Sequence, residues 1–267
     1  MSTIWGVGLG PGAPDLVTLR AIATVRRADV IVLPRSSDFG ESVAWSIVKH
    51  HIESRPDQEK LPLTFPMSND PGRVRACWDR ALVEIGARVE AGKSIAFVTE
   101  GDPSLYSTFI YLQREAPKRW PDVRIEVVPG VSSVMAVPAV AGIALADGQE
   151  RVAIVPAAYG VEDADDLLRK FDTVVFMKIG PEMGRLVAAL ERHGLVDRAV
   201  YVAKATMSGQ RVVRDVREIS GERGDCFAMV VVARKERSGV IVGDVPRTAH
   251  GTSRASPERG PNPGDAS

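Results

Sequence analysis

The sequence predicts an α/β protein built as two α/β domains, and two observations carry that prediction. Short apolar runs bounded by turn residues alternate with amphipathic stretches from about residue 4 to 233, the pattern that strand and helix units leave in a layered fold. The chain has 267 residues, 45% of them hydrophobic, enough to bury one large core or two modest ones.

The first strand is expected at about 4–9, ahead of the string GVGLGPG at 6–12. A helix follows from about Asp15, with Leu16, Leu19, Ile22 and Ala23 on one face and Asp15 as its N-cap. DVIVLP, residues 29–34, reads as the second strand. Helices are expected at about 42–51 and 72–90, the second with Val74, Trp78, Leu82 and Ile85 spaced three or four apart. KSIAFVTE, residues 93–100, reads as a buried strand that ends in GDPSLYS at 101–107, before the helix TFIYLQRE at 108–115. KRWPD, residues 118–122, reads as the crossing between halves, which assigns the strand RIEVV, 124–128, to the second domain. Strands then follow at RVAIVP, DTVVFMK, AVYVAKA and CFAMVVVA, with helices near 132–142 and 181–192. Strands so uniformly apolar require cover on both faces. The expected division is 1–120, 121–243 and a proline-, glycine- and serine-rich tail at 244–267, too poor in apolar residues to offset the entropy of ordering.

Lysine plus arginine and aspartate plus glutamate each total 34, so no overall field can hold nucleic acid or an anionic membrane against salt. Any basic site must be local. Cys77 and Cys226 are far apart and lack ligand spacing, which argues against a disulfide framework or zinc site and fits a reducing cytosol. His50, His51, His193 and His250 show no ligand spacing either, so no metal is expected. The start MSTIWGVG lacks the basic-then-apolar pattern of a cleaved signal, and a cytoplasmic protein is expected. The apolar run at 131–146 falls short of the roughly 18 residues of a membrane span and contains Ser132, Ser133 and Pro138, so a buried helix is expected there.

Glycines as dense as those at 6–12 usually let a ligand approach the backbone. A dinucleotide is disfavoured. Counted from Gly6, the third glycine of G-x-G-x-x-G falls on Pro11, and counted from Gly8 it falls on Ala13. Pro11 and Pro14 also lack the N–H groups that a pyrophosphate needs. The second strand ends in Pro34 and Arg35 rather than an acid, and no G-K-[ST] follows the turn. A phosphate-free ligand with a flat ring and a charged end, such as S-adenosylmethionine, suits the turn better.

Five strings, GVGLGPGAPDLVTLRA, VTEGDPSLYSTF, VVPGVSSVMAVPAVAGIAL, VVFMKIG and ATMSGQRVV, resemble in order and interval the tetrapyrrole (class III) S-adenosylmethionine methyltransferases. The resemblance covers about residues 3–235, and the likeness within the family is to the branch that methylates precorrin-2 at C20 in cobalamin synthesis. Ala13 departs from the pattern, since the family usually has Asp after the second glycine of GPG. The resemblance implies a cleft between the two domains that binds S-adenosylmethionine and releases S-adenosylhomocysteine. Pro11 would pack on the adenosyl group. Gly101 and Asp102 would meet the methionine end, Asp102 through its ammonium, with Leu105 closing the pocket. Ser132 and Ser133 would contact the methionine portion, and the backbones of Met177 and Ala205 would hold the adenine. Each also has a plain reading as a turn, an N-cap or core packing.

A polycarboxylate ring must be received by cations, for which Arg35, Lys178, Lys204 and Arg211 are candidates, against the plain reading of solvated surface charges. Tyr106 is a candidate to stack on the ring or hydrogen-bond it. No general base is identified, because the acid that some relatives look to use at the end of the second strand is Pro34 here. The resemblance further implies a homodimer acting on a small tetrapyrrole. Methylation at C11 or C17, a cobalt-bearing substrate, a nicotinamide oxidoreductase and a non-catalytic tetrapyrrole carrier stay open as alternatives.

Overall fold

A computed structural model describes residues 2–37, 40–53, 55–66, 68, 70–159, 161–222, 224–225 and 227–235. Met1–Lys235 is one compact unit, and the expected tail at 244–267 lies outside the described residues. The unit contains two five-stranded sheets.

The first sheet has the order β3-β2-β4-β1-β5 and is parallel throughout. Its strands are β1 (Thr3–Gly8), β2 (Val30–Arg35), β3 (Glu59–Thr64), β4 (Ile95–Thr99) and β5 (Arg124–Val128). Helices α1 (Leu19–Arg27) and α2 (Val43–Val48) pack Ala21, Val25, Ala44 and Ile47 against Trp5, Val7 and Ile31 on one face. On the other face, α3 (Pro71–Glu90) and α4 (Phe109–Arg119) pack Leu82, Ile85, Phe109 and Leu112 against Ile4, Val30 and Phe97. All five residues of β4 are buried, as a strand covered on both faces must be. At about 1.5–3 kcal/mol per fully buried large apolar side chain, this double cover is the main force holding the layer.

The second sheet has the order β6-β7-β10-β8-β9, made of β6 (Val152–Pro156), β7 (Thr173–Met177), β8 (Ala199–Ala203), β9 (Arg211–Val213) and β10 (Ala228–Ala233). Only β6 and β7 run parallel; β10 pairs antiparallel with β7 and β8, and β8 antiparallel with β9. Helices α6 (Ala164–Lys170) and α7 (Met183–Arg192) cover one face through Leu168, Leu186 and Leu190. Helix α5 (Ser133–Ala141) covers the other with Val134, Val137 and Ala141, and Leu105 packs there too.

The α/β class and the strands of both halves follow the sequence reading; three placements differ. The helix expected from Asp15 begins at Leu19, capped by Thr18, whose Oγ1 accepts the Ala21 N–H at 3.1 Å. Asp15 instead lies in a 3-10 turn, Pro14–Leu16, and Leu19 is 86% exposed because the inward face is Ala21, Thr24 and Val25. Helix α4 continues to Arg119, past Pro117. The strand RIEVV belongs to the first sheet, where β5 pairs parallel with β1 from Thr3↔Arg124 to Val7↔Val128. KRWPD is therefore the turn of an α4–β5 unit, and the passage between the sheets comes after β5. The edge strands β3 and β9 and the short α6 are absent from the sequence reading; β3 does alternate, with Leu61 and Leu63 inward, about Pro62, which an edge can tolerate because one side of the strand needs no ladder donor.

Candidate functional site

The dense glycines serve first to let the chain approach itself. A Cβ on Gly6 would lie 2.2 Å from the Phe109 ring. One on Gly8 would lie 2.7 Å from both the Gly101 oxygen and the Gly130 nitrogen, and one on Gly130 only 2.3 Å from that same oxygen. Gly10 and Gly101 exchange two backbone hydrogen bonds, Gly101 N–H to Gly10 O at 2.7 Å and Gly10 N–H to Gly101 O at 3.2 Å. Three loops, after β1, β4 and β5, are thus drawn together at the carboxyl ends of neighbouring strands, where open α/β sheets bind ligands.

Asp102 ties two of these loops. One carboxylate oxygen accepts the Ser104 N–H at 2.9 Å and the Ser104 hydroxyl, and the other accepts the Gly130 N–H at 3.0 Å. Burial alone would raise this carboxyl, but the donations from Ser104 and Gly130 outweigh it and hold the group below the usual aspartate range. Ser132 is the N-cap of α5, its hydroxyl accepting the Val134 N–H at 3.2 Å. Ser133 opens the helix, and its nitrogen lies 3.9 Å from the place a Gly101 Cβ would take.

Leu105, Met177 and Ala205 come from three separate segments and meet in one cluster with Val134 and Val137 of α5, Met177 and Ala205 each 6% exposed. Pro11 is buried beside Gly10 in the turn. The structure therefore brings Gly101, Asp102, Leu105, Ser132, Ser133, Met177 and Ala205 to the region where the first-sheet loops face the second sheet. The four non-glycine residues with positive φ among the described residues also follow these strands: Tyr106 (50°), Lys178 (55°), Lys204 (50°) and Thr206 (65°). Left-handed backbone costs roughly 1–2 kcal/mol per residue and gathers where geometry is functionally constrained.

Tyr106 is 43% exposed; its hydroxyl donates weakly to the Ile154 oxygen at 3.4 Å, and Lys178 Nζ lies 5.9 Å from its ring centroid. Arg35 ends β2, and its Nε is the one buried side-chain nitrogen or oxygen among the described residues without a hydrogen-bond partner. Lys204 pairs with Asp225 at 3.3 Å, and Arg211 forms a two-pronged pair with Glu222 at 2.6 and 3.0 Å. Those two cations are already neutralised within the second half. Among the described residues Lys178 and Arg35 have no carboxylate partner.

Two further residues enter from the structure. Burial pushes the Glu100 carboxyl up, against donations from its own amide and that of Ala44. Thr206 accepts the Ala13 N–H on Oγ1 at 3.1 Å, across the two halves. An acid closing an apolar strand was the available signal for Glu100; nothing in ATMSGQ marks the threonine's backbone. Of the histidines, His51 meets the Pro14 oxygen at 2.7 Å and His193 meets Asp165 at 2.7 Å, while His250 and Cys226 lie outside the described residues. Among the described residues no group of three or more His, Cys, Asp or Glu is placed to hold a metal ion, and no helix is long and apolar enough to cross a membrane.

This donor set fits an adenosyl sulfonium. Leu105, Met177 and Ala205 offer an apolar shelf for a flat ring, and at Gly101 an added Cβ would meet nothing closer than 3.9 Å, so the backbone there can be approached. Backbone groups and one carboxylate can take the polar end, while no Ser–His or Cys–His pair stands ready as a nucleophile among them.

Known proteins agree with this chemistry. Residues 3–219 match the family described as Tetrapyrrole (Corrin/Porphyrin) Methylases. The chain is 32% identical over 234 residues to the cobalt-precorrin-2 C(20)-methyltransferase of Salmonella typhimurium, covering 87% of this chain and 96% of that protein. It is 26% identical to the precorrin-2 C(20)-methyltransferase of a Sinorhizobium species, covering 85% and 93%. The solved structure of a cobalt-precorrin-4 methyltransferase superposes with a TM-score of 0.64 at 25% identity, covering 88% of this chain and 96% of that one. With its two sheets, its glycine-built loop junction and its apolar shelf, the chain belongs to the tetrapyrrole (corrin/porphyrin) methylases and is an S-adenosylmethionine-dependent methyltransferase.

Proposed function

We propose that the protein methylates C20 of precorrin-2, yielding precorrin-3A in cobalamin synthesis. The observation that carries this reading is that near full-length relatives at 32% and 26% identity are named for the same ring carbon. A cobalt-bearing substrate is the second reading, favoured by the name of the more similar of the two. A chelated cobalt ion travels with its ring and needs no ligand from the protein.

The bound cofactor supplies a methyl group on a sulfonium, whose leaving group departs neutral and needs no proton. The ring carbon that gains the methyl gives up a proton, to the macrocycle or to solvent as the product leaves, and the chain's share is alignment and exclusion of water. Leu105, Met177 and Ala205 form the dry wall for the adenosyl group, and Pro11 is proposed to pack against it. Asp102 already accepts three hydrogen bonds, from Ser104 twice and Gly130 once, which leaves about one of its roughly four acceptor sites for an ammonium group. Ser132 and Ser133 are proposed to face the same end through the start of α5. Holding the meso carbon about 3–3.5 Å from the methyl, in line with the bond that breaks, converts a two-body encounter into a near-attack geometry.

For the substrate carboxylates, Arg35 and Lys178 are the first candidates, because Lys204 and Arg211 would have to leave Asp225 and Glu222. An unpaired buried guanidinium nitrogen gains most from such a partner. We further propose that the two sheets are the cores of two domains meeting at this site, and that the enzyme is a cytoplasmic homodimer; light scattering of the purified protein tests the dimer. The activity is tested by incubation with precorrin-2 and carbon-labelled S-adenosylmethionine, followed by carbon NMR. Label at C20 is expected. Label at C11 or C17, or no transfer with either the metal-free or the cobalt-bearing ring, overturns the reading.

A further inference from the structure

We propose that Thr206 is a positioning residue: its hydroxyl clasps the glycine turn of the first sheet to the β8–β9 loop and so sets the width of the cofactor site. The inference rests on the methyltransferase reading above. Thr206 lies 193 residues from its partner, and its Oγ1 accepts the Ala13 N–H at 3.1 Å. Ala13 has no side chain able to cap that turn, and no side-chain cap is made there.

The backbone at Thr206 makes the contact informative. Its φ is 65°, a region where a β-branched residue is an outlier and glycine or asparagine would be less strained. A second bond pins the residue in place, its N–H donating to Gln210 Oε1 at 2.7 Å. The turn in its own way yields to this loop: a Cβ on Gly12 would lie 2.2 Å from Met207 Cγ and 3.3 Å from Thr206 Oγ1. Ala205, part of the apolar shelf, is the preceding residue, and Pro11 lies two residues before Ala13. The single hydroxyl therefore spans the two walls between which an adenosyl group would sit. The strain at Thr206 is met by two hydrogen bonds, the one its hydroxyl accepts across the site and the one its N–H donates to Gln210.

The test compares three variants with wild type by titration calorimetry with S-adenosylhomocysteine, steady-state kinetics and thermal unfolding. Thr206→Val keeps the shape and removes the acceptor. Thr206→Ser keeps the hydroxyl. Ala13→Pro removes the donor from the other side, at a residue whose φ is already −69°, and its ring Cδ also crowds Thr206 Oγ1, so it is read only beside Thr206→Val. Thr206→Val and Ala13→Pro are each expected to weaken S-adenosylhomocysteine binding about tenfold, the effect of one lost hydrogen bond, and to raise KM for the cofactor while kcat stays within about threefold. Thr206→Ser should bind within about threefold of wild type, and the Val–Pro double variant should be no weaker than the worse single one. If Thr206→Val does not fold, Thr206→Ala, which removes the same acceptor without adding an atom, decides. Variants that lose thermal stability yet bind S-adenosylhomocysteine like wild type overturn the inference and leave the methyltransferase reading standing. Wild type that fails to bind S-adenosylhomocysteine brings down both.

Discussion

The two sides of the candidate site bring backbone close by opposite means. On the first-sheet side, Gly8, Gly101 and Gly130 touch main chain to main chain with no side chain between them. On the second-sheet side, Lys178, Lys204 and Thr206 hold left-handed backbone with their side chains attached. The first wall is fixed mainly by the absence of atoms, Tyr106 being its one left-handed non-glycine residue among the described residues, and the second by strain that neighbouring contacts hold in place. At Gly8 and Gly130 the first should therefore tolerate no added atom, and the second should gain stability when its strain is relieved.

Gly8→Ala is expected to have the largest effect. Its methyl would press on backbone atoms of Gly101 and Gly130 at 2.7 Å, which cannot rotate away as a side chain can. Overpacking costs typically about 1–3 kcal/mol, and this site stands at the upper end. Denaturant unfolding should register that loss, and calorimetry a loss of S-adenosylhomocysteine binding. A variant as stable as wild type would break the comparison on its glycine side.

Lys178→Gly tests the other wall. Removing the Cβ at φ 55° should stabilise the fold by about 1 kcal/mol, and the proposed role of Lys178 in receiving a ring carboxylate predicts a higher KM for the tetrapyrrole. Differential scanning calorimetry together with substrate titration separates the two effects. A destabilised variant would mean that the cation over the Tyr106 ring outweighs the strain.

Glu100 sharpens the contrast, as an acid on the glycine side where burial outweighs the hydrogen bonds, the reverse of Asp102. Its carboxyl is raised in the fold above the unfolded value of about 4.3. Its contribution is therefore fully present below that value and is lost as pH rises through the native one. Glu100→Gln should match wild type near pH 4 and be the more stable at pH 8, measured by urea unfolding at both. Equal stabilities at both pH values would show that the site hydrates the charge. The smallest effect belongs to Tyr106→Phe: its hydroxyl bond of 3.4 Å is long, and removing it should lower kcat less than tenfold.

What could be read from the sequence follows from how local each feature is. Apolar strands such as IAFVT and TVVFM declare themselves because both faces are covered, and all five residues of each are buried. The motif order likewise places Leu105, Met177 and Ala205, which meet in one cluster. Sheet membership was not readable, since RIEVV is a strand in either half and only its pairing with β1 assigns it. The glycines were legible as close approach but not as approach to what, because Gly8 needs Gly130 from beyond the first four strands to explain it. Thr206, Glu100 and the pairing of Arg211 with Glu222 depend on partners that no spacing rule connects.

The position of β5 bears on how the molecule assembles. β1 lies between β4 and β5, so it finishes its pairing only after Val128 has been synthesised. Until then one flank of Ile4 to Val7 is an open edge of apolar chain, the kind that recruits foreign strands. Pairings of such long range form slowly, and the nascent protein would gain from a chaperone's shelter during that interval.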